Sequence, residues 1–98
     1  MTAELPLSPH ATVVRHPGQI SADLQGEVVV LRIDKGKYYN MNEIGSRIWA
    51  LVERPIAVGA LVDLLVGEFA VERSVCEEEV LDFLRELHAD GLVQISDE

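Results

Sequence analysis

Residues 26–42 read GEVVVLRIDKGKYYNMN, and this stretch decides the fold. Residues 27–33 are apolar on both alternating faces over their first half, which is typical of a strand that is central in a sheet or covered on each side. Asp34-Lys35-Gly36 has turn chemistry, and the aromatic run Lys37–Met41 predicts a second strand, so the two form a hairpin. If Thr12–Arg15 pairs with the far side of residues 27–33, then Lys37–Met41 lies at a sheet edge.

Helical spacing replaces the strand pattern after this hairpin. Asn42 is a good N-cap for a first helix, and Arg54-Pro55 ends that helix. An amphipathic second helix is predicted over Val58–Phe69, with a weak cap near Ala57. Residues 19–25 are ambiguous between an extension of the first strand and a cover for the sheet edge.

The third predicted helix covers residues 75–89. Ser74 and Glu77 fit a capping box at its start, and Gly91 fits a left-handed cap at its end. Residues 92–95 follow as a short final strand or wing. Together these elements predict an α+β winged helix-turn-helix, in which a three-stranded antiparallel sheet is followed by three helices.

Composition bounds both the domain count and the environment. The chain has 98 residues, a formal charge of −9 and one cysteine. We expect a flexible tail over residues 1–10 and one domain over residues 11–96. A single cysteine makes no internal disulfide, and no stretch has the length of a membrane span, so a cytoplasmic protein is expected.

Catalytic and metal-binding patterns are missing from the sequence. His10, His16 and His88 are far apart, and Cys76 falls on a helical stripe of apolar residues, as a small buried hydrophobe would. Neither a nucleophile–base pair nor a phosphate loop is present. We therefore expect no enzyme activity, no metal and no cofactor.

The acidic charge also argues against nucleic acid and membranes as partners. Arg85 is the only cation within residues 75–89, where a DNA-reading helix needs several. A winged-helix regulator therefore remains only as an alternative. It would differ from a peptide-binding protein by salt-dependent DNA retardation.

The third helix has a wider apolar arc than one core contact requires. A helical wheel places Cys76, Val80, Phe83 and Leu87 on the core stripe, and it places Leu81, Leu84 and His88 beside them. These flanking residues either pack against the sheet or the N-terminal segment, or form the wall of an exposed groove. In the second case the edge strand Lys37–Met41 forms the other wall, and an extended peptide can add to it.

The ordered series of these motifs resembles the PqqD family over roughly residues 12–95. The resemblance rests on residues 26–31, 36–42, Ile48-Trp49, 58–65, 83–87 and 91–93. The family usually has leucine where this chain has Met41, a volume-conserving departure. The Tyr-Tyr-x-Met-Asn sequence followed by Ile-Trp resembles the stand-alone members of lasso-peptide pathways more closely than it resembles the members of pyrroloquinoline quinone synthesis.

The resemblance implies a peptide-recognition element with no catalytic role. Such proteins bind the leader region of a ribosomally made precursor peptide as an added strand, between the third strand and the third helix. The implied partners are a separate leader peptidase of the cysteine-protease type and possibly a cyclase. The alternative within the family is a chaperone in pyrroloquinoline quinone biosynthesis. The predicted peptide-binding residues are Lys37, Tyr38, Tyr39, Asn40, Met41, Val80, Leu81, Leu84, Arg85 and His88.

Overall fold

The computed structural model describes residues 10–96, with six strands and three α-helices, and with one short 3-10 turn at Ile33–Lys35 between two of the strands. In chain order these are β1 (Thr12–Arg15), β2 (Ile20–Leu24), β3 (Glu27–Arg32), β4 (Lys37–Met41), α1 (Glu43–Leu51), β5 (Ile56–Ala57), α2 (Val58–Phe69), α3 (Arg73–Ala89) and β6 (Val93–Ser96). The chain is therefore α+β, as predicted. Apart from its last residue, the tail predicted over residues 1–10 lies outside the described residues.

Strands β2, β3 and β4 form one antiparallel sheet in that order, which we call the hairpin sheet. The β3–β4 hairpin is confirmed, and Gly36 in its turn adopts φ +61°. The ambiguous residues 19–25 contribute β2, which reaches β3 through Gln25 and Gly26, both at positive φ. Two successive residues at positive φ fit a tight hairpin turn, so β2 pairs with its chain neighbour.

The remaining strands form a second antiparallel sheet in the order β5-β1-β6, which we call the terminal sheet. The expectation that Thr12–Arg15 pairs with residues 27–33 is wrong, because β1 lies between β5 and β6. Val13 is fully buried there, opposite Ile56 on one side and Ile95 on the other. The predicted final strand is confirmed as β6, and its pairing with β1 brings the first and last described strands together.

Local capping chemistry fixes the helix ends. The Asn42 side chain accepts a hydrogen bond from the Gly45 N–H at 2.8 Å, which confirms the predicted cap of α1. At the end of α3, Gly91 adopts φ +74°, and the N–H groups of Gly91 and Leu92 return to His88 O and Leu87 O. This pair of bonds is a Schellman motif, and it confirms the predicted left-handed cap.

The predicted capping box of α3 is wrong. The helix begins at Arg73 after Glu72, and the Glu72 side chain at the cap position makes no capping hydrogen bond. Ser74 lies inside that turn, where its hydroxyl donates to Glu72 Oε1 at 2.8 Å. A serine within the helix cannot occupy the non-helical N-cap position that a capping box requires.

One core joins the two sheets to the helices. Trp49 is its largest fully buried side chain, and the Arg15 guanidinium stacks over the indole ring at 4.5 Å from the centroid. Arg15 Nε also donates to Trp49 O at 2.8 Å, which ties the terminal sheet to α1. Within residues 10–96, no helix has the length and apolar character needed to cross a membrane.

Candidate functional site

Strand β4 is an edge strand of the hairpin sheet, as predicted. It pairs with β3 on one side, and within residues 10–96 no strand pairs with its other side. Its alternate side chains face opposite ways: Met41 is buried, whereas Tyr38 is 65% exposed. An unpaired edge presents a row of backbone N–H and C=O groups that an extended chain can use for pairing.

A cavity of about 300 Å³ lies beside the end of this edge strand. It is bounded by the end of β4, the first turns of α1, the end of α2 and the first half of α3. Its lining is mostly apolar and consists of Asn40, Met41, Asn42, Ile44, Gly45, Ile48, Leu65, Phe69, Val71, Cys76, Glu79, Val80 and Phe83. An open strand edge and an apolar cavity are therefore next to each other, as β-strand recognition requires.

The junction between β4 and α1 is held rigidly by Ser46, whose side chain is buried. Its hydroxyl donates to Met41 O at 3.0 Å and accepts from the Val28 N–H at 2.8 Å. Gly45 completes the fit, because a Cβ there would lie 3.3 Å from Phe83 Cζ. The cavity end of the site is thus preformed, with α3 packed closely against the start of α1.

A second set of contacts holds the other end of β4 near α3. Arg32 Nη1 donates to Asp90 O at 2.6 Å, while its Nε and Nη2 bind the two carboxylate oxygens of Asp34 at 2.9 and 3.2 Å. The Arg32 hydrogen bond keeps the pKa of Asp34 below its usual value. Burial raises the pKa of the Tyr39 phenol, and the nearby charge of Asp90 raises it further. These contacts fix the separation between the hairpin sheet and the end of α3.

The wall of the groove on α3 differs from the predicted one. Glu79 and Phe83 line the cavity, and residues two positions apart on a helix are about 200° apart around its axis. Leu81 and Arg85, each two positions further along, therefore lie on the opposite side of α3. The groove wall that they were predicted to form therefore lies away from this cavity.

Leu84 and His88 are likewise not among the residues that line the cavity. Leu84 is fully buried in the core, so its predicted exposure is wrong. Phe83, which the wheel assigned to the core stripe, is only half-buried and lines the cavity instead. His88 is half-buried and does not line this cavity.

The other predicted residues are distributed along the edge strand and the cavity floor. Asn40, Met41 and Val80 line the cavity, with Val80 buried beneath it. Lys37, Tyr38 and Tyr39 come earlier in β4 and lie outside the cavity.

Several lining residues escaped sequence reasoning, chiefly Ile44, Phe69, Val71, Glu79 and Phe83. Glu79 belongs to a run of three glutamates. Because acidic residues are common near the start of a helix, the sequence did not distinguish Glu79 from its two neighbours as a site residue. One sequence feature could have linked Phe83 to Glu79: they are four residues apart, so they lie on the same side of the helix.

The fold and this site define a small α+β protein with an open strand edge beside an apolar cavity. The chain belongs to the family described as Coenzyme PQQ synthesis protein D (PqqD), which matches residues 27–93. The predicted family resemblance is therefore confirmed. Among curated proteins, none matches this chain.

Two solved structures are similar to the chain over most of its length. One, described as TbiB1 in complex with the TbiA(beta) leader peptide, is 33% identical, has a TM-score of 0.76, and is matched over 83% of this chain and 94% of its own. The other, described as lasso peptide synthetase B1 complexed with the leader peptide, is 20% identical with a TM-score of 0.73. Its match covers 84% of this chain and 96% of its own, and at this identity it shows the fold alone.

Proposed function

We propose that this protein is a non-catalytic adaptor that binds the leader region of a ribosomally made precursor peptide as a strand added to β4. The observation that carries the proposal is the unpaired edge of β4 beside the apolar cavity. The 33% identical TbiB1, whose structure holds a leader peptide, supports the same use of the fold.

Strand addition and the cavity have complementary roles in this proposal. Each backbone hydrogen bond along β4 contributes only about 0.5–1.5 kcal/mol net, which is little for a short segment. Burying one large aliphatic or aromatic side chain in the cavity adds about 1.5–3 kcal/mol. The edge therefore supplies the extended conformation and register, while the cavity supplies an anchor that distinguishes one sequence from another.

We infer that α2 and α3 form the helix-turn-helix of a winged-helix arrangement. Residues 70–72 connect the two helices, and a turn of three or four residues is typical of that motif. The charge on α3 favours peptide over DNA, since Glu77, Glu78 and Glu86 are exposed on it. Carboxylates at these positions would repel a phosphate backbone.

The adaptor would present the bound precursor to a separate leader peptidase of the cysteine-protease type, and to a cyclase, in a lasso-type pathway in the cytoplasm. A direct test adds the purified protein to such a peptidase and its precursor. We expect faster leader cleavage in the presence of the adaptor, and an intact precursor by mass spectrometry with the adaptor alone. Cleavage by the adaptor alone would contradict a non-catalytic role.

The binding site is tested by titrating the isotope-labelled protein with the TbiA(beta) leader peptide and with peptides enriched from a random 16-residue display library. We expect NMR shifts at β4, Glu79 and Phe83. Phe83→Ala should weaken binding about tenfold or more, because it removes the largest aromatic surface of the α3 wall. Leu81→Ala is the matched control on the opposite side of α3, with an expected change below about twofold.

The added strand itself is tested by methylating the peptide backbone one amide at a time. Alternate N–H groups of an edge-added strand point toward β4, so methylation should weaken binding at every second position. Equal effects at all positions, shifts confined to another surface, or no enrichment of any peptide would each contradict the proposal.

A further inference from the structure

The cavity beside β4 has one charged lining residue, Glu79. Asn40 and Asn42 contribute amides, and the other lining residues are apolar. An apolar site with a single charge fixes the orientation of its ligand through that charge. The chemistry of the bound peptide, the guest, at this point therefore depends on which group can pair with Glu79.

Within residues 10–96, the cations of the chain do not neutralise Glu79. The ion pairs there join Arg32 to Asp34, Arg47 to Glu68, Arg73 to Asp63 and Arg85 to Asp82. The Glu79 carboxylate lies close enough to the cavity floor that its charge raises the pKa of the Cys76 thiol, after the larger effect of burial. Glu79 is thus a carboxylate that lines the cavity and takes part in none of these ion pairs.

Other groups on the same side of α3 have the same sign. Glu86 lies seven residues beyond Glu79, which returns it to the same side of the helix after two turns. Asp90 follows at the end of α3, but the Arg32 guanidinium, which binds its backbone oxygen, partly offsets its charge, so Glu79 and Glu86 carry the negative charge on this side. A guest strand between β4 and α3 would therefore meet negative charge on the helix side.

We propose that the guest peptide has a lysine or arginine beside the apolar side chain that enters the cavity, and that this cation pairs with Glu79. The inference rests on the proposed function and specifies its substrate: an extended segment with an apolar anchor and a neighbouring positive charge. An aspartate or glutamate at the same guest position is disfavoured by repulsion.

The expected selectivity is moderate, because Glu79 is exposed at the cavity rim. A solvent-accessible ion pair strengthens binding about twofold to fivefold. Exchanging lysine for glutamate in the guest replaces attraction by repulsion, so the two guests should differ by about tenfold. The difference should decrease as salt rises.

The test selects peptides from a random 16-residue display library on the wild-type protein and on Glu79→Lys. Wild type should enrich lysine or arginine at a fixed spacing from an apolar anchor. Glu79→Lys should keep the anchor and enrich aspartate or glutamate at the same position.

Glu78→Lys is the matched control, because it changes the net charge equally from an exposed neighbouring position that does not line the cavity. It should select the same peptides as wild type. An anchor enriched without charge preference, or the same preference in Glu79→Lys, would overturn this inference and leave the proposed function standing. Failure of all three proteins to enrich any peptide would overturn the proposed function itself.

Discussion

The hairpin sheet and the terminal sheet have the same number of strands and antiparallel pairing, but they differ in what they expose. In the terminal sheet, Val13 and Val93 are buried. In the hairpin sheet one face is open to solvent, and Leu24 and Tyr38 are 60% and 65% exposed. The comparison indicates a division of roles: both sheets bury side chains in the core, including Val30 of β3, and the hairpin sheet in addition has an open face and the edge proposed for binding.

The largest expected effect contrasts the buried centre of the terminal sheet with the open face of the hairpin sheet. Val13→Asp places a carboxylate in the fully buried centre of the terminal sheet and should cost at least about 4 kcal/mol. Leu24→Asp in the hairpin sheet should change the free energy of unfolding by less than about 0.5 kcal/mol. Urea denaturation followed by circular dichroism measures both.

If Val13→Asp does not fold, Val13→Ala provides the same contrast on a smaller scale, with an expected cost of about 2 kcal/mol. Equal costs at Val13 and Leu24 would break the proposed division.

The next effect concerns the contact that joins the hairpin sheet to α3. Gly91 has φ +74°, and a Cβ there would overlap Nη1 of Arg32 and approach its Cζ to 3.3 Å. Gly91→Ala should therefore cost about 2 kcal/mol, from left-handed backbone strain and displacement of the guanidinium.

A double-mutant cycle with Arg32→Met separates these two causes. In that background the cost of Gly91→Ala should fall to about 1 kcal/mol, the strain alone. Additive costs would mean that Arg32 does not couple the two regions.

Local chemistry explains which parts of this structure were predictable from the sequence. The turn at Gly36, the cap at Asn42 and the Schellman motif at Gly91 each depend on residues within a few positions of one another. The edge position of β4 was also predicted. The pairing on which that prediction depended was wrong, because β2, rather than β1, pairs with the far side of β3. Pairing between distant strands depends on packing that no local pattern contains.

The candidate site shows the same limit on a smaller scale. Phe83 and Leu84 are adjacent on α3, and a helical wheel places both within about 100° of each other. A small rotation of the helix decides which one enters the core and which one lines the cavity. Periodicity predicts a wide apolar arc, but the position of β4 determines the side of α3 that faces it.

A smaller effect is expected where β3 and β4 join α1. Ser46→Ala leaves the Val28 N–H and the Met41 carbonyl without their side-chain partner, and should cost about 1–2 kcal/mol. Ser74→Ala is the matched control on an exposed serine, with an expected cost below about 0.5 kcal/mol. Hydrogen exchange at the Val28 amide should accelerate in Ser46→Ala alone, and unchanged exchange there would show that the junction does not depend on Ser46.

The smallest effect is a pH dependence of the hairpin sheet. Arg32 lowers the pKa of Asp34 in the folded protein, so this pair stabilises the fold above the usual carboxylate pKa of about 4 and loses that effect as the pH falls through the lowered value. Protonation of Asp34 releases one partner of Arg32, and Arg32 also binds Asp90. The protection factors of amides in β3 and β4, corrected for the slower intrinsic exchange at low pH, should therefore decrease on acidification before those in β1 do. Asp34→Asn should remove this difference between the sheets, whereas Glu68→Gln, which removes the helical pair with Arg47, should leave it in place. A simultaneous loss of protection in both sheets of the wild type would mean that the hairpin sheet has no independent response.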